Sequence, residues 1–332
     1  MRLKILRIRR NIALLAKVAS RLLPTTTNSN DVLKFLAWFP MFRSRMRGLL
    51  LVVPALFAFG PVVALAAGEL TLKSNAALVV DQETGEALIA KNADVVMPIA
   101  SLTKLMTALV VVDARQPMEE VLEISNDDVD REKHTGSRLS VGTRLSREDM
   151  LLLALMSSEN RAANALSRAY PGGRSAFIAR MNAKAHELGM NSSHFADPAG
   201  LSVQTVSTAR DLLRLVSAAD AQALIRRDST QTEVTLRVRG RPMTFVNTNR
   251  LVRSGRDWDI ELQKTGFTNE AGRCLVMRAS TLNRKLTMIF LNSFGTLTRF
   301  ADAGRVREHL ERTATARLQR PIITSMSSKA HS

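Results

Sequence analysis

The chain has 332 residues, 45% of them hydrophobic, enough for one large domain or two smaller ones around a real core. Its one cysteine, Cys274, excludes an internal disulfide and any cysteine-rich metal site. The net charge of +17 misleads as a global figure, because residues 1–66 hold eleven Lys/Arg against one acid, Asp31, while the remainder is mildly basic and mixed in sign. With 5% aromatic content and no dense Lys/Arg patch, the composition argues against a nucleic-acid partner, although a basic surface suits an anionic polymer.

In chain order, residues 1–40 read as a non-structural N-terminal extension or an early start, upstream of Met41 and Met46. Arg43, Arg45 and Arg47 then precede an uncharged run from Gly48 to Gly68 that ends in Ala64-Leu65-Ala66-Ala67. That is the layout of a secretory signal peptide over 41–66, cut after Ala66. An uncleaved anchor is the alternative, but Pro54, Pro61 and the small-residue end favour cleavage.

Residues 67–312 read as one domain. Ala76–Asp81 and Glu86–Ala90 flank a Gly-containing turn and predict a β-hairpin. A helix is expected from Ser101 to about Arg115. Ser146 is expected to cap a helix over Met150–Met156 that is apolar on nearly every side and therefore buried. Helices follow near Glu159–Arg168, Arg174–Leu188 and Thr208–Ala219. The loop His194–Leu201 lies among them. Beyond residue 230 the pattern turns to strands: Glu233–Val238, Met243–Asn247, Ile260–Lys264, Cys274–Ala279 and Lys285–Leu291. A helix over Ala301–Thr313 and a polar, disordered tail over 313–332 end the chain. Two strands, a run of helices, then more strands and a terminal helix predict an α+β fold. Its first and last strands share one antiparallel sheet, flanked by helices with a helical subdomain.

Three fragments carry chemistry. Ser101-Leu102-Thr103-Lys104 puts a hydroxyl and an amine three residues apart, on one face of a helix, as a serine nucleophile with a lysine base requires. Ser158-Glu159-Asn160 follows the buried helix and offers a hydroxyl and an amide side by side. Read alone, Ser158 is better taken as the N-cap of helix 159–168. Lys264-Thr265-Gly266 ends a strand, and its glycine permits another backbone to approach closely. Alone, this is equally a surface turn with a solvated lysine.

Together, S-x-x-K, an S-x-N triplet and K-T-G occur once each, in the order found in penicillin-binding proteins and class A β-lactamases. With the longer runs Pro98–Ala108, Asp149–Ala163 and Lys264–Thr268, the chain resembles the low-molecular-mass penicillin-binding proteins, the serine D-alanyl-D-alanine peptidases of the bacterial cell wall. The resemblance spans about Leu72 to Arg312. It implies Ser101 as the nucleophile that forms an acyl-enzyme, Lys104 as its general base, and Ser158 as proton shuttle to the leaving amine. It implies Asn160, Lys264, Thr265 and Phe267 as the substrate-binding set, with the backbone N–H groups of Ser101 and Phe267 as oxyanion hole. Lys104 must then have a lowered pKa, with the charge of Lys264 as the expected cause and burial adding to it. Peptidoglycan peptide stems are the implied substrate, β-lactams the implied inhibitors and the periplasm the implied location. No cofactor, metal or stable membrane insertion after cleavage is implied.

Two departures point to the endopeptidase branch. Phe267 follows K-T-G where the carboxypeptidase relatives usually carry histidine, and only 66 residues follow Gly266, which leaves no room for their second, all-β domain. The triplet is S-E-N, and Glu159 is expected to be a solvated acid at the cleft mouth. Trimming of pentapeptides by a carboxypeptidase is the alternative. A class A β-lactamase is the weaker one, because Glu187–Asn191 has the wrong spacing for its E-x-x-L-N signature. Cys274 reads as a buried small residue, Trp258 as a packing residue, and His134, His186 and His194 lack metal-ligand spacing.

Overall fold

The computed structural model describes residues 70–255 and 258–318, with side chains to 315. The extension and the signal-peptide segment lie outside these residues, as does the tail after 318. Strands β1 (Ser74–Asp81) and β2 (Ala87–Lys91) form the expected hairpin. A short β3 (Met97–Pro98) leads through a 3₁₀ turn, Ala100–Thr103, into α1 (Lys104–Asp113). After the paired strands β4 (Val121–Glu123) and β5 (Arg144–Ser146) come α2 (Arg147–Met156), α3 (Asn160–Arg168) and α4 (Gly173–Glu187). Ser146 caps α2 by accepting from the Asp149 amide at 3.0 Å. Strand β6 (Val206–Ser207) pairs with β3, and α5 (Ala209–Asp220) and α6 (Ala223–Thr230) follow.

The last third holds a separate hairpin, β7 (Glu233–Val238) with β8 (Arg241–Val246), and a one-turn helix α7 (Arg250–Ser254). Three ten-residue strands then follow, β9 (Asp259–Thr268), β10 (Gly272–Thr281) and β11 (Arg284–Ser293), and finally α8 (Thr298–Leu318). The five-stranded antiparallel sheet has the order β2-β1-β11-β10-β9. The first strand thus lies beside the last, from Ser74↔Ser293 to Asp81↔Leu286.

Alternation sorts the sheet into two cores. Ala76, Leu78, Cys274, Val276, Ile289 and Leu291 face the helical block, while Ala77, Val79, Leu275, Met277, Met288 and Phe290 face α8. Each fully buried aliphatic or Phe side chain contributes about 1.5–3 kcal/mol. The α8 layer is also pinned by a buried polar knot. Asp302 accepts from the Ser74 amide at 2.7 Å and from its hydroxyl at 2.5 Å, and Ser74 Oγ lies 2.7 Å from Ser293 Oγ.

Several expected boundaries move. Ser101 does not lie on an α-helix but in the 3₁₀ turn ahead of it. Residues three apart eclipse in that geometry, which brings Ser101 and Lys104 together more directly than an α-helix does. Strand β9 runs on through Thr268, because Gly266 and Phe267 stay in register with Cys274 and Arg273. Helix α6 was not expected, since its polar segment buries Ile225, Asp228 and Ser229 together. Helix α8 extends past Thr313 to Leu318. Trp258 packs against the α8-side core, and Cys274 is fully buried in β10, which pushes its thiol up to about 11. Among the described residues no helix is long and apolar enough to cross a membrane.

Candidate active site

Two glycines let three backbone segments converge on Ser101. A Cβ on Gly200, whose φ is +79°, would lie 1.9 Å from Ala100 O, so only glycine fits there. A Cβ on Gly266 would stand 3.0 Å from Ile99 O and 3.1 Å from Ser101 N, which puts edge strand β9 directly against the serine's own main chain. Ala100 holds a left-handed φ of 48°, and strained backbone of this kind persists only where its surroundings enforce it.

Lys104 begins α1 with its side chain fully buried. Its Nζ lies 2.8 Å from Ser101 Oγ, 2.7 Å from Asn160 Oδ1 and 2.8 Å from Ala199 O. The last two are acceptor-only oxygens. A neutral amine has two hydrogens and one lone pair, and these two acceptors use both hydrogens. The lone pair is then left for the Ser101 hydroxyl, which is the arrangement of a base and its nucleophile. Burial pushes the Lys104 ammonium down to about 7, against the opposing pull of the Asp197 and Glu159 charges. This corrects the sequence expectation: desolvation, not repulsion from Lys264, is what lowers Lys104.

The loop that offers Ala199 O is built by Asp197. Its carboxylate accepts from the amides of Ala199 (2.8 Å), Gly200 (2.6 Å), Leu201 (3.1 Å) and Ser202 (3.0 Å), and from Thr205 Oγ1 (2.9 Å). Thr107 on α1 donates to Pro198 O at 2.6 Å and docks the loop on the helix. Sequence reasoning took His194–Leu201 as a plain loop. The signal present was Asp-Pro-Ala-Gly, an acid placed to gather the amides that follow it.

Ser158 is not the N-cap of α3. It takes a left-handed φ of 63°, and Glu159 occupies the cap position without a side-chain cap bond. This turn aims Ser158 Oγ at Lys264 Nζ, 2.9 Å away. Lys264 also donates to Thr265 O at 2.9 Å, and it is fully buried. Burial first, then the charges of Lys104 and Arg299, hold its ammonium well below the ordinary lysine value. Thr265 Oγ1 lies 2.6 Å from Thr248 Oγ1, a neighbour that sequence reasoning missed. Arg299, also missed, is buried at the start of α8 and held down to about 10 by burial and by the charge of Arg273.

Asn160 uses both ends of its amide. Oδ1 accepts from Lys104, while Nδ2 donates to Thr135 Oγ1 at 2.9 Å, leaving one amide hydrogen for a ligand. Thr135 Oγ1 in turn donates to Asp130 at 2.7 Å. Because the Thr135 hydrogen is committed to Asp130, its oxygen can only accept from Asn160, and this fixes the amide orientation. Phe267 stands apart from this cluster. Its ring is half exposed, with the Arg273 guanidinium 4.3 Å over the centroid.

Glu159 contradicts its expectation. It is 8% exposed rather than solvated, and accepts from Ser137 Oγ at 2.6 Å and from the Arg138 amide at 3.1 Å. A buried carboxylate needs such donors. Here they staple the loop before α2 to the start of α3. Arg138 extends the staple, donating to Thr244 O at 2.6 Å and stacking 4.7 Å over the Phe245 ring. Glu187 lies away from this site, at the end of α4 in an ion pair with Arg180.

The chain is similar over much of its length to known proteins. It is 52% identical over 243 residues to a D-alanyl-D-alanine endopeptidase of Pseudomonas aeruginosa, covering 72% of this chain and 78% of the relative. It is 45% identical over 278 residues to a D-alanyl-D-alanine endopeptidase of Escherichia coli, covering 82% and 89%. Among solved structures, the Streptomyces K15 DD-transpeptidase superposes with a TM-score of 0.66 at 27% identity, covering 72% of this chain and 97% of that one. Penicillin-binding protein D2 from Listeria monocytogenes, in its cefotaxime-bound form, superposes with a TM-score of 0.64 at 31% identity, covering 73% and 98%. The family model described as D-alanyl-D-alanine carboxypeptidase matches residues 63–295. The chain therefore belongs to peptidase family S11, the D-alanyl-D-alanine carboxypeptidases, and has their mixed helix and antiparallel-sheet fold.

Proposed function

We propose that this protein is a serine DD-peptidase that hydrolyses D-alanyl cross-links in peptidoglycan through an acyl-enzyme on Ser101, and that β-lactams acylate the same serine. The observation that carries this reading is the buried Lys104 amine, 2.8 Å from Ser101 Oγ and also within hydrogen-bond distance of the acceptors Asn160 Oδ1 and Ala199 O. Ser101 attacks the D-alanyl carbonyl while its proton passes to Lys104. The carbonyl oxygen becomes an oxyanion facing the N–H groups of Ser101 and Phe267. As the C–N bond breaks, Ser158, held by Lys264, gives its proton to the leaving amine and is replenished from protonated Lys104. Water then repeats the sequence on the ester, releasing the acyl peptide and freeing Ser101. Arg299, the Lys264 amine and the Thr265 hydroxyl supply a hydrogen-bonding end for a substrate or β-lactam carboxylate, whose charge would favour the protonated form of Lys264.

Cross-link cleavage is favoured over pentapeptide trimming by the relatives at 45–52% identity, both named endopeptidases. The second reading, a carboxypeptidase, is supported by relatives of that name at 28–30% identity in Bacillus subtilis and E. coli. The site works outside the cytoplasmic membrane, in the periplasm, after the segment 41–66 has directed export. Cross-linked dimeric muropeptides and pentapeptide monomers, digested side by side, test the preference. Cleaved dimers are expected, and trimmed monomers with intact dimers would overturn the endopeptidase reading. Ser101→Ala is expected to abolish both labelling by fluorescent penicillin and muropeptide cleavage. Retained cleavage would overturn the assignment of the nucleophile.

A further inference from the structure

The two walls of the cleft meet again beyond the reacting groups. One wall follows β9 from Lys264 through Gly266 and Phe267 to the β9–β10 turn, which carries Glu270. The other runs from Asn160 through Thr135 to Lys133. Lys133 Nζ and Glu270 Oε1 are 2.5 Å apart, joining segments 137 residues distant in sequence. Ser158 and Lys264 mark the leaving-group end, because Ser158 protonates the leaving amine. Asn160 and Phe267 lie further along, so the Lys133–Glu270 pair closes the acyl-donor end.

Lys133 is not a loose surface lysine. Its side chain is 24% exposed, and its own amide donates to Asp130 Oδ1 at 2.9 Å. The same carboxylate accepts from the amides of Glu132 and Thr135, each at 2.9 Å. The Asp130 charge is thus spent on the backbone of the loop, and the loop is anchored again by Glu159 and Arg138. Among the described residues, the carboxylate bonded to the Lys133 ammonium comes from across the cleft, on the β9–β10 turn.

We propose that Lys133 is a subsite for a carboxylate on the acyl-donor peptide, and that Glu270 occupies this subsite in the free protein. The inference rests on the peptidase reading above, which fixes which end of the cleft takes the donor. An entering acidic peptide exchanges its carboxylate for that of Glu270, opening the strap and gaining the ammonium. A neutral peptide must leave the strap closed or break it without replacement. Because exposed ion pairs are weak, the exchange is nearly balanced, and the discrimination it provides is about two- to five-fold.

The test uses two D-alanyl cross-linked peptide dimers whose donor stems differ only in the residue before the scissile D-alanine, which is glutamate in one and glutamine in the other. For the wild-type protein KM should be about two- to five-fold lower for the glutamate peptide, and the ratio should shrink as salt is raised. Glu270→Gln should widen the preference by removing the competitor, and Lys133→Met should erase it. The opposite responses of the two variants separate loss of a subsite from loss of fold. A ratio unchanged in Lys133→Met, or narrowed in Glu270→Gln, would overturn the subsite. Wild-type cleavage of both peptides with equal KM would overturn the subsite alone, while cleavage of neither would overturn the peptidase reading as well.

Discussion

Asn160 accepts from the Lys104 amine through its carbonyl oxygen at 2.7 Å, so in the proposed mechanism the amide of the S-E-N triplet touches the base as well as the substrate. Exchange of that amide for a carboxylate puts a negative charge against the buried amine and favours its protonated form. Asn160→Asp is therefore expected to lower the rate of penicillin acylation at pH 7 by about five-fold or more. The acidic limb of the pH–rate profile should move upward by about one unit or more. Stopped-flow acylation with a reporter β-lactam across pH 5–10 checks this, and an unmoved limb would separate Asn160 from the base.

The wild-type acidic limb has its own sign. In the proposed mechanism only the neutral amine accepts the Ser101 proton, and burial puts the Lys104 value at about 7. Acylation should fall about ten-fold per pH unit below that value and level off above it. The same shift is linked to folding. In the unfolded chain Lys104 regains its ordinary value of 10.5, so between about pH 7 and 10.5 the unfolded state binds the extra proton and stability rises with pH. The stability of wild type relative to Lys104→Met should therefore increase from pH 7 to pH 10, at no more than about 1.4 kcal/mol per unit. Urea unfolding at fixed pH values measures it.

Glu159 carries a charge effect and a structural effect that two variants can separate. Glu159→Gln removes the charge that opposes protonated Lys104's loss of its proton, so the acidic limb should shift to lower pH while the loop stays stapled through the remaining oxygen. Glu159→Ala leaves the Ser137 hydroxyl and the Arg138 amide without their acceptor. That change should cost about 1–3 kcal/mol of stability for each group left buried and unpaired. Thermal melts alongside the pH–rate profiles distinguish the two.

The two glycines beside the Ser101 turn should respond differently to alanine. At Gly200 the new methyl meets backbone oxygen at 1.9 Å and a left-handed φ as well, so Gly200→Ala should fail to yield folded protein. At Gly266 the methyl meets Ile99 O at 3.0 Å and Ser101 N at 3.1 Å with no φ penalty. Gly266→Ala should keep its fold and lose acylation by ten-fold or more, because β9 must withdraw from Ser101. Circular dichroism with penicillin labelling reads both.

The strings that hold the groups used by the proposed mechanism were legible because their order and spacing are local. Ser101, Lys104, Ser158 and Lys264 sit in short strings, and the strings occur in one sequence order. What supports them was not legible, because it is made by contacts between distant segments. Lys104 meets Asn160 across 56 residues and Ala199 across 95. Burial of Lys104, which sets its pKa, follows from how the Asp197 loop closes over α1 rather than from any neighbour in sequence. Glu159 was misread for the same reason, since its two donors come from a loop more than twenty residues upstream. The sheet and its hairpins followed from alternation and turn residues. The length of β9 did not, because Lys-Thr-Gly-Phe-Thr lacks a strand pattern and is kept extended by its partner β10.

The pairing of β1 with β11 sets when the enzyme can first react. On the ribosome, the turn bearing Ser101 emerges early, but the strand that bridges β1 to β10 is the last of the sheet to be made. Until residues 284–293 are available, β9 and β10, with Gly266, have no strand linking them to β1. If Ser101 is the nucleophile proposed above, a chain truncated before β11 is expected to be silent toward acyl donors, and reactivity to wait for completion of the whole domain.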